Sequence, residues 1–172
     1  MMNNEYETLL TSLRGLLMDE HDEIANMANA AALLYQYLPD ISWAGFYLYK
    51  HDELVLGPFQ GKVACMHIPM GKGVCGTAAV KRKILRVDDV HQFSGHIACD
   101  SASNSEIVIP LVKENTLLGV LDIDSYSPSR FTQEDEDMLN QAKGILRVEF
   151  RFYKTRIQGM KKTVILKVQK NY

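Results

Sequence analysis

The run from Glu106 to Ser125 constrains the fold more than any other. It reads E-I-V-I-P-L-V, then a short polar K-E-N-T, then L-L-G-V-L-D-I-D-S from Leu117. Two apolar stretches separated by a tight polar turn specify a β-hairpin. Asp122 and Asp124 are two residues apart, so they point to one face of their strand while Leu121 and Ile123 point to the other. Glu106 sits at the start of the first stretch. Burying an unpaired carboxylate is costly, so acids on apolar strands call for a reason beyond packing.

The rest of the chain divides around this hairpin. Tyr6, Leu9, Leu10, Leu13, Leu16 and Leu17 recur at helical spacing and predict a helix from about Asn4 to Met18. Asp22 is placed to cap a second helix running to about Tyr37, with Ile24, Met27, Ala28, Ala31, Leu34, Tyr35 and Leu38 as its apolar stripe and Pro39-Asp40 as its stop. The pattern then turns strand-like. Ser42 to Tyr49 is aromatic-rich, Glu53 to Gly57 is its hairpin partner, and Gly57 to Gly61 reads as a loop. Val63 to Ile68 is expected to be a third strand, carrying Cys65. Val74 to Lys81 reads as a short helix with Cys75 in its first turn, and Ile84 to Val87 as a short strand. Asp88 to Ser103 has no clear periodicity, and loops of about 15 residues in compact domains are usually functional or disordered. Thr132-Gln133-Glu134-Asp135 resembles a capping box and opens a last helix, expected to reach about Lys154. This order predicts an α+β fold: an antiparallel sheet of about six strands with helices packed mainly on one face.

A chain of 172 residues is long enough for one well-formed core. We expect a single domain over residues 1–154 and a basic C-terminal tail over 155–172. Residues 151–172 carry seven cations and no acid, which leaves −9 on the body against a net −2. The expectation is a solvated tail, with no nucleic-acid or membrane partner. The first residues lack the basic and apolar regions of a signal peptide, and no stretch approaches a membrane span. A cytoplasmic protein is expected. In such a compartment, cysteines are structural thiols, metal ligands or redox groups, because structural disulfides are rare there.

All three cysteines, Cys65, Cys75 and Cys99, fall between Val63 and Asp124, together with Glu106, Asp122 and Asp124. The residues point to a thiol-based redox site facing a carboxylate-lined pocket. Cys65 on a strand has packing as its plain alternative. Cys99, in a polar loop beside Asp100, is explained less well by packing. Cys65, His67, Cys75, His91, His96 and Cys99 include zinc-ligand types, but there is no C-x-x-C pair and the spacing is not a usual zinc pattern, so no metal site is expected.

Several motifs together carry a family likeness: W-A-G-F-Y, G-P-F-Q-G-K-V-A-C, G-V-C-G-T-A, G-H-I-A-C-D-S-A-S-N-S-E-I-V-I-P and G-V-L-D-I-D-S. They resemble the free methionine-(R)-sulfoxide reductases, which are single GAF-domain enzymes. The likeness covers roughly residues 20–150. The cysteine spacing of 10 and then 24 residues is its specific part.

The resemblance implies reduction of free L-methionine (R)-S-oxide to L-methionine, with thioredoxin as external reductant and no bound cofactor. It places the catalytic thiol at Cys99 and a resolving thiol at Cys65. Cys75 lines the pocket, either as a second resolving thiol or as a substrate contact. Glu106, Asp122 and Asp124 match the substrate-binding acids, and Trp43 and Tyr47 the aromatic wall.

The chemistry asks for such groups. A sulfoxide needs a nucleophile at sulfur, which a thiolate supplies, and a proton donor at oxygen. Crowded carboxylates favour one of them being protonated. Attack leaves a sulfenic acid, which a second thiol converts to a disulfide. An external dithiol then resets the site by exchange. An aromatic wall suits methionine's soft methyl-sulfur end. The reading from another class is a non-enzymatic small-molecule-sensing GAF module, which would bind its ligand without needing Cys99. A homodimer paired through the two N-terminal helices and the last helix is compatible with either.

Overall fold

The computed structural model describes residues 4–95, 97 and 99–149. Four helices and six strands follow one another as α1 (Asn4–Leu17), α2 (Glu23–Tyr37), β1 (Trp43–Lys50), β2 (Glu53–Gly61), β3 (His67–Pro69), α3 (Gly73–Lys81), β4 (Leu85–Val87), β5 (Ser105–Lys113), β6 (Thr116–Ser125) and α4 (Gln133–Glu149). A single turn of 3-10 helix, Val90–Gln92, lies between β4 and β5. The expected basic tail, and the last helix beyond Glu149, lie outside the described residues.

Local chemistry sets the element ends. The Asp22 carboxylate accepts the Ala25 backbone N–H at 2.9 Å and caps α2. At α4 the capping box is reciprocal. Thr132 Oγ1 accepts from Asp135 N–H at 3.2 Å, and Asp135 Oδ2 accepts from Thr132 N–H at 2.7 Å. Tyr6 donates to the same carboxyl group at 2.6 Å, which ties α1 to the start of α4. Both sheet hairpins close on two residues with positive φ, His51 and Asp52 in one and Glu114 and Asn115 in the other. That geometry matches the twist of the strands they join.

The strands form one antiparallel sheet in the order β3-β2-β1-β6-β5-β4. Helices α1, α2 and α4 cover one face, where Leu13, Leu34 and Leu139 meet Phe46, Ile109, Leu121 and Ile123. Helix α3 covers part of the other face, where Cys75, Ala78 and Ala79 meet Trp43, Tyr47, Val108 and Val120. Three of the four helices therefore share one side, as expected. Burial on both faces explains why β5 reads as a continuous apolar run.

Two expectations in this region change. Strand β2 runs on to Gly61, through the stretch read as a loop. The pairs Gly45–Phe59 and Tyr47–Leu56 leave Gly57 and Pro58 together opposite Phe46. That bulge absorbs a proline that has no N–H to give the ladder. Conversely, β3 is only His67–Pro69, and Cys65 lies in an irregular segment before it rather than on a strand. Val63 and Met66 are 88% and 71% exposed, so the apolar look of this segment does not reflect burial. In α1 and α2 the expected stripes are partly displaced: Leu16, Ile24 and Tyr35 are exposed, and Ala30 is buried. Among the described residues no helix is long and apolar enough to cross a membrane.

Candidate active site

Strand register assembles the acids. Glu106 on β5 stands opposite Asp124 on β6, and Val108 stands opposite Asp122. Opposed residues share a face and Asp122 is two positions from Asp124, so all three carboxyl groups point toward α3. On the other side of β6, Trp43 of β1 is paired with Asp124 and Tyr47 with Val120, which sets the aromatic side chains beside the acids. Trp43 stacks on Tyr47 with ring centroids 5.9 Å apart and on Phe59 of β2 at 5.2 Å. A Cβ at Gly45 would collide with Phe59 and the Trp43 ring, so glycine there makes room for the stack. The Trp43 indole N–H donates to the Lys62 carbonyl at 3.1 Å and fixes the ring.

Glu106, Asp122, Asp124, Trp43 and Tyr47 line a small cavity of about 40 Å³, together with Cys75, Cys99, Ser42, Ile97, Lys62 and Asp100. That space takes a few water-sized groups. Cys99 is disulfide-bonded to Cys65, with Cα atoms 5.3 Å apart across a separation of 34 residues. Cys65 meets the cavity through that bond. Cys75, in the first turn of α3, is a free and buried thiol whose Sγ is 3.7 Å from Glu106 Oε1. All eight residues singled out in the sequence therefore come to one side of the sheet. Phe59 and Ser42 were not among them. Reading β2 as a strand through Pro58 would have put Phe59 on the face of Trp43; nothing in the sequence marks Ser42.

Burial dominates the electrostatics. It pushes the Glu106 carboxyl well above the usual carboxylate range, and the charges of Asp122 and Asp124 add to this. Asp124 is raised by burial and then by Asp122. Asp122 is pushed up to about 6 by burial, against hydrogen bonds from Cys75 and Glu106 that favour its charged form. Burial also raises the Cys75 thiol, with Asp122 and Glu106 adding to it. Burial and the neighbouring charges favour the protonated, donating form at Glu106 more than at Asp122. Two residues that line the cavity carry a buried polar atom with no partner, Ser42 Oγ and Asp122 Oδ1. One can donate and the other accepts, and buried polar atoms are otherwise nearly always satisfied.

Of the set considered for zinc, the three cysteines meet at the cavity, but the described histidines do not line it. His67 pairs with Glu53 at 2.8 Å and His91 with Asn104 at 3.1 Å, while His96 lies outside the described residues. Cys75, Glu106 and Asp122 do place ligand-type atoms within 4.8 Å of one another.

The fold and its pocket define a GAF domain: residues 12–142 match the GAF domain family, to which the chain belongs. It is 57% identical to the free methionine-R-sulfoxide reductase of Escherichia coli over 136 residues, 79% of this chain and 82% of that one. It is 45% identical to the enzyme of the same name from Saccharomyces cerevisiae, over 78% of this chain and 79% of the yeast protein. The structure of the Neisseria meningitidis reductase in complex with its substrate superposes with a TM-score of 0.83 at 42% identity, covering 87% of this chain and 92% of that one. Within the GAF domains, this chain belongs to the free methionine-R-sulfoxide reductases and is an enzyme.

Proposed function

We propose that this enzyme reduces free L-methionine (R)-S-oxide, with Cys99 as nucleophile, Cys65 as resolving thiol and thioredoxin as the external dithiol. The Cys99 thiolate attacks the sulfoxide sulfur while Glu106 supplies a proton to the oxygen. Methionine leaves and Cys99 becomes a sulfenic acid. Cys65 then displaces its oxygen as water, forming the disulfide. Thioredoxin reduces that bond by thiol–disulfide exchange and is itself oxidised. The cycle needs no bound cofactor or metal, and it suits the cytoplasm, where the disulfide would be transient.

The observation that carries this reading is the Cys65–Cys99 disulfide beside a cavity lined by Cys99, three acids and an aromatic stack. Asp122 and Asp124 receive the substrate ammonium group, and the unpartnered Asp122 Oδ1 supports that role. The Ser42 hydroxyl donates to the substrate carboxylate. Trp43 and Tyr47 pack on the methyl-sulfur end. A ligand held by its free ammonium group would exclude methionine sulfoxide within a peptide. Cys75 contacts Glu106 and takes no part in the redox cycle.

Pairing as a homodimer is supported by Leu16, Ile24, Tyr35 and Tyr37, apolar or aromatic side chains that stay between 40% and 51% exposed on α1 and α2. Thioredoxin-coupled turnover, measured on each sulfoxide epimer separately, tests the enzymatic reading. We expect consumption of the R epimer by wild type and none by Cys99→Ser. Cys65→Ser should release methionine once and then stop. Normal turnover by Cys99→Ser would refute the assignment.

A further inference from the structure

Disulfide closure needs two segments to meet that the chain itself does not join. Cys65 lies in the irregular stretch before β3, and Cys99 lies in the long loop before β5. When the sulfur–sulfur bond is open, some other contact must keep them within reach, because closure is an intramolecular reaction whose rate depends on proximity.

A polar cluster joins those two segments. Lys62, three residues before Cys65, places its Nζ 3.4 Å from Asp100 Oδ2, and Asp100 directly follows Cys99. The Tyr126 hydroxyl donates to the same oxygen at 3.1 Å. The Lys62 ammonium group also lies 4.9 Å from the centre of the Tyr126 ring. The other Asp100 oxygen accepts the Ala102 backbone N–H at 3.0 Å.

Lys62 and Tyr126 are each held from their own side. The Lys62 carbonyl receives the Trp43 indole N–H at 3.1 Å, and the Tyr126 carbonyl receives Asn104 Nδ2 at 2.7 Å. Tyr126 immediately follows β6. A lone exposed ion pair contributes little. A carboxylate held by an ammonium, a phenol and a backbone amide at once is a defined joint.

We propose that Lys62, Asp100 and Tyr126 form a clamp that holds the Cys99 loop against Cys65 while their bond is open, and so sets the rate of disulfide closure rather than the rate of attack on the sulfoxide. The proposal rests on the reading that Cys99 takes the oxygen and Cys65 resolves it. In the step concerned, the Cys65 thiolate attacks the sulfenic sulfur of Cys99. The S–S bond forms, the S–O bond breaks, and hydroxide leaves with a proton as water. The three clamp residues are positioning residues, acting on the sulfurs through the Lys62 and Asp100 segments that carry them.

Pre-reduced protein, freed of reductant, separates the two steps. It is mixed with free methionine (R)-sulfoxide. Methionine release is followed alongside free-thiol loss and trapping of the sulfenic acid by dimedone. Lys62 and Asp100 also line the cavity, so at saturating sulfoxide we expect Lys62→Met and Asp100→Asn to slow release of the first methionine less than they slow closure. We expect them to close the disulfide about fivefold more slowly, the scale of losing one charge pair, and to trap correspondingly more dimedone. Lys62 is 64% exposed at its side chain, so its replacement leaves the fold intact. Lys62→Arg should restore closure, and Tyr126→Phe should slow it to a lesser degree. Unchanged closure in both charge variants would overturn the clamp, as would an equal slowing of methionine release. If wild type releases no methionine, the functional reading fails instead.

Discussion

Glu106 and Asp124 face each other across neighbouring antiparallel strands, with both carboxyl groups on a face that α3 and the Cys99 loop cover. Two acids directly opposed in a buried position are destabilising when both are charged. That opposition favours the protonated form of one of the two.

That relationship has a consequence for stability. Asp122 is pushed up to about 6, and Glu106 and Asp124 are raised well above the usual carboxylate range. For an acid whose pKa is higher folded than unfolded, the native state binds more protons, so stability falls as pH rises. The contribution is full below the unfolded value of about 4 and is lost through the folded value. Thermal melts of the ligand-free protein should show Tm declining from pH 4 past pH 6. Asp122→Asn should flatten the part of that decline up to about pH 6. A Tm that rises over this range in wild type would contradict it.

The two unpartnered atoms predict a binding defect. Ser42→Ala and Asp122→Asn should each raise KM for free methionine sulfoxide about tenfold or more, the scale of one lost hydrogen bond to a charged group. Ser42→Ala should leave kcat near wild type. Steady-state kinetics with a dithiol reductant decide it. An unchanged KM would mean that Ser42 Oγ faces no ligand group.

The sequence showed this pocket unevenly. The hairpin register was readable because Asp122 and Asp124 interrupt an apolar run at period two. The helix starts at Asp22 and Thr132 were readable from capping chemistry. The continuation of β2 past Gly57-Pro58 is hidden in the sequence, because a proline normally ends a strand and only the bulge opposite Phe46 accommodates it here. Phe59 was missed for the same reason. Val63 to Met66 has the apolar look of a strand, though Val63 and Met66 are exposed. Spacing alone did not say which cysteines pair, since a bridge of 34 residues depends on two loops meeting.

Cys75 should behave as a shielded thiol. It is 3% exposed and raised in pKa by burial, and both properties suppress thiolate chemistry. In fully reduced native protein, iodoacetamide should label Cys65 and Cys99 first and Cys75 only after denaturation, as read by peptide mass spectrometry. Cys75→Ala should keep thioredoxin-supported turnover within about threefold of wild type, the effect of one weak hydrogen bond. Loss of recycling in that variant would place Cys75 in the redox cycle.

The aromatic stack depends on the absence of a side chain at Gly45. Gly45→Ala drives a methyl group into Phe59 and the Trp43 ring, and overpacking of this kind costs about 1–3 kcal/mol. Urea unfolding should show that loss, with KM rising because the wall is displaced. Wild-type stability in the variant would mean that the stack relaxes freely.

The central claim is that Cys99 and Cys65 together take one oxygen from the ligand of this pocket. The most direct measurement supplies pre-reduced protein with excess free methionine (R)-sulfoxide and no reductant, then counts products by mass spectrometry. We expect one methionine per chain, a Cys65–Cys99 linked peptide, and an unmodified Cys75. Methionine formed by Cys99→Ser, or a disulfide that leaves Cys99 out, would contradict the account.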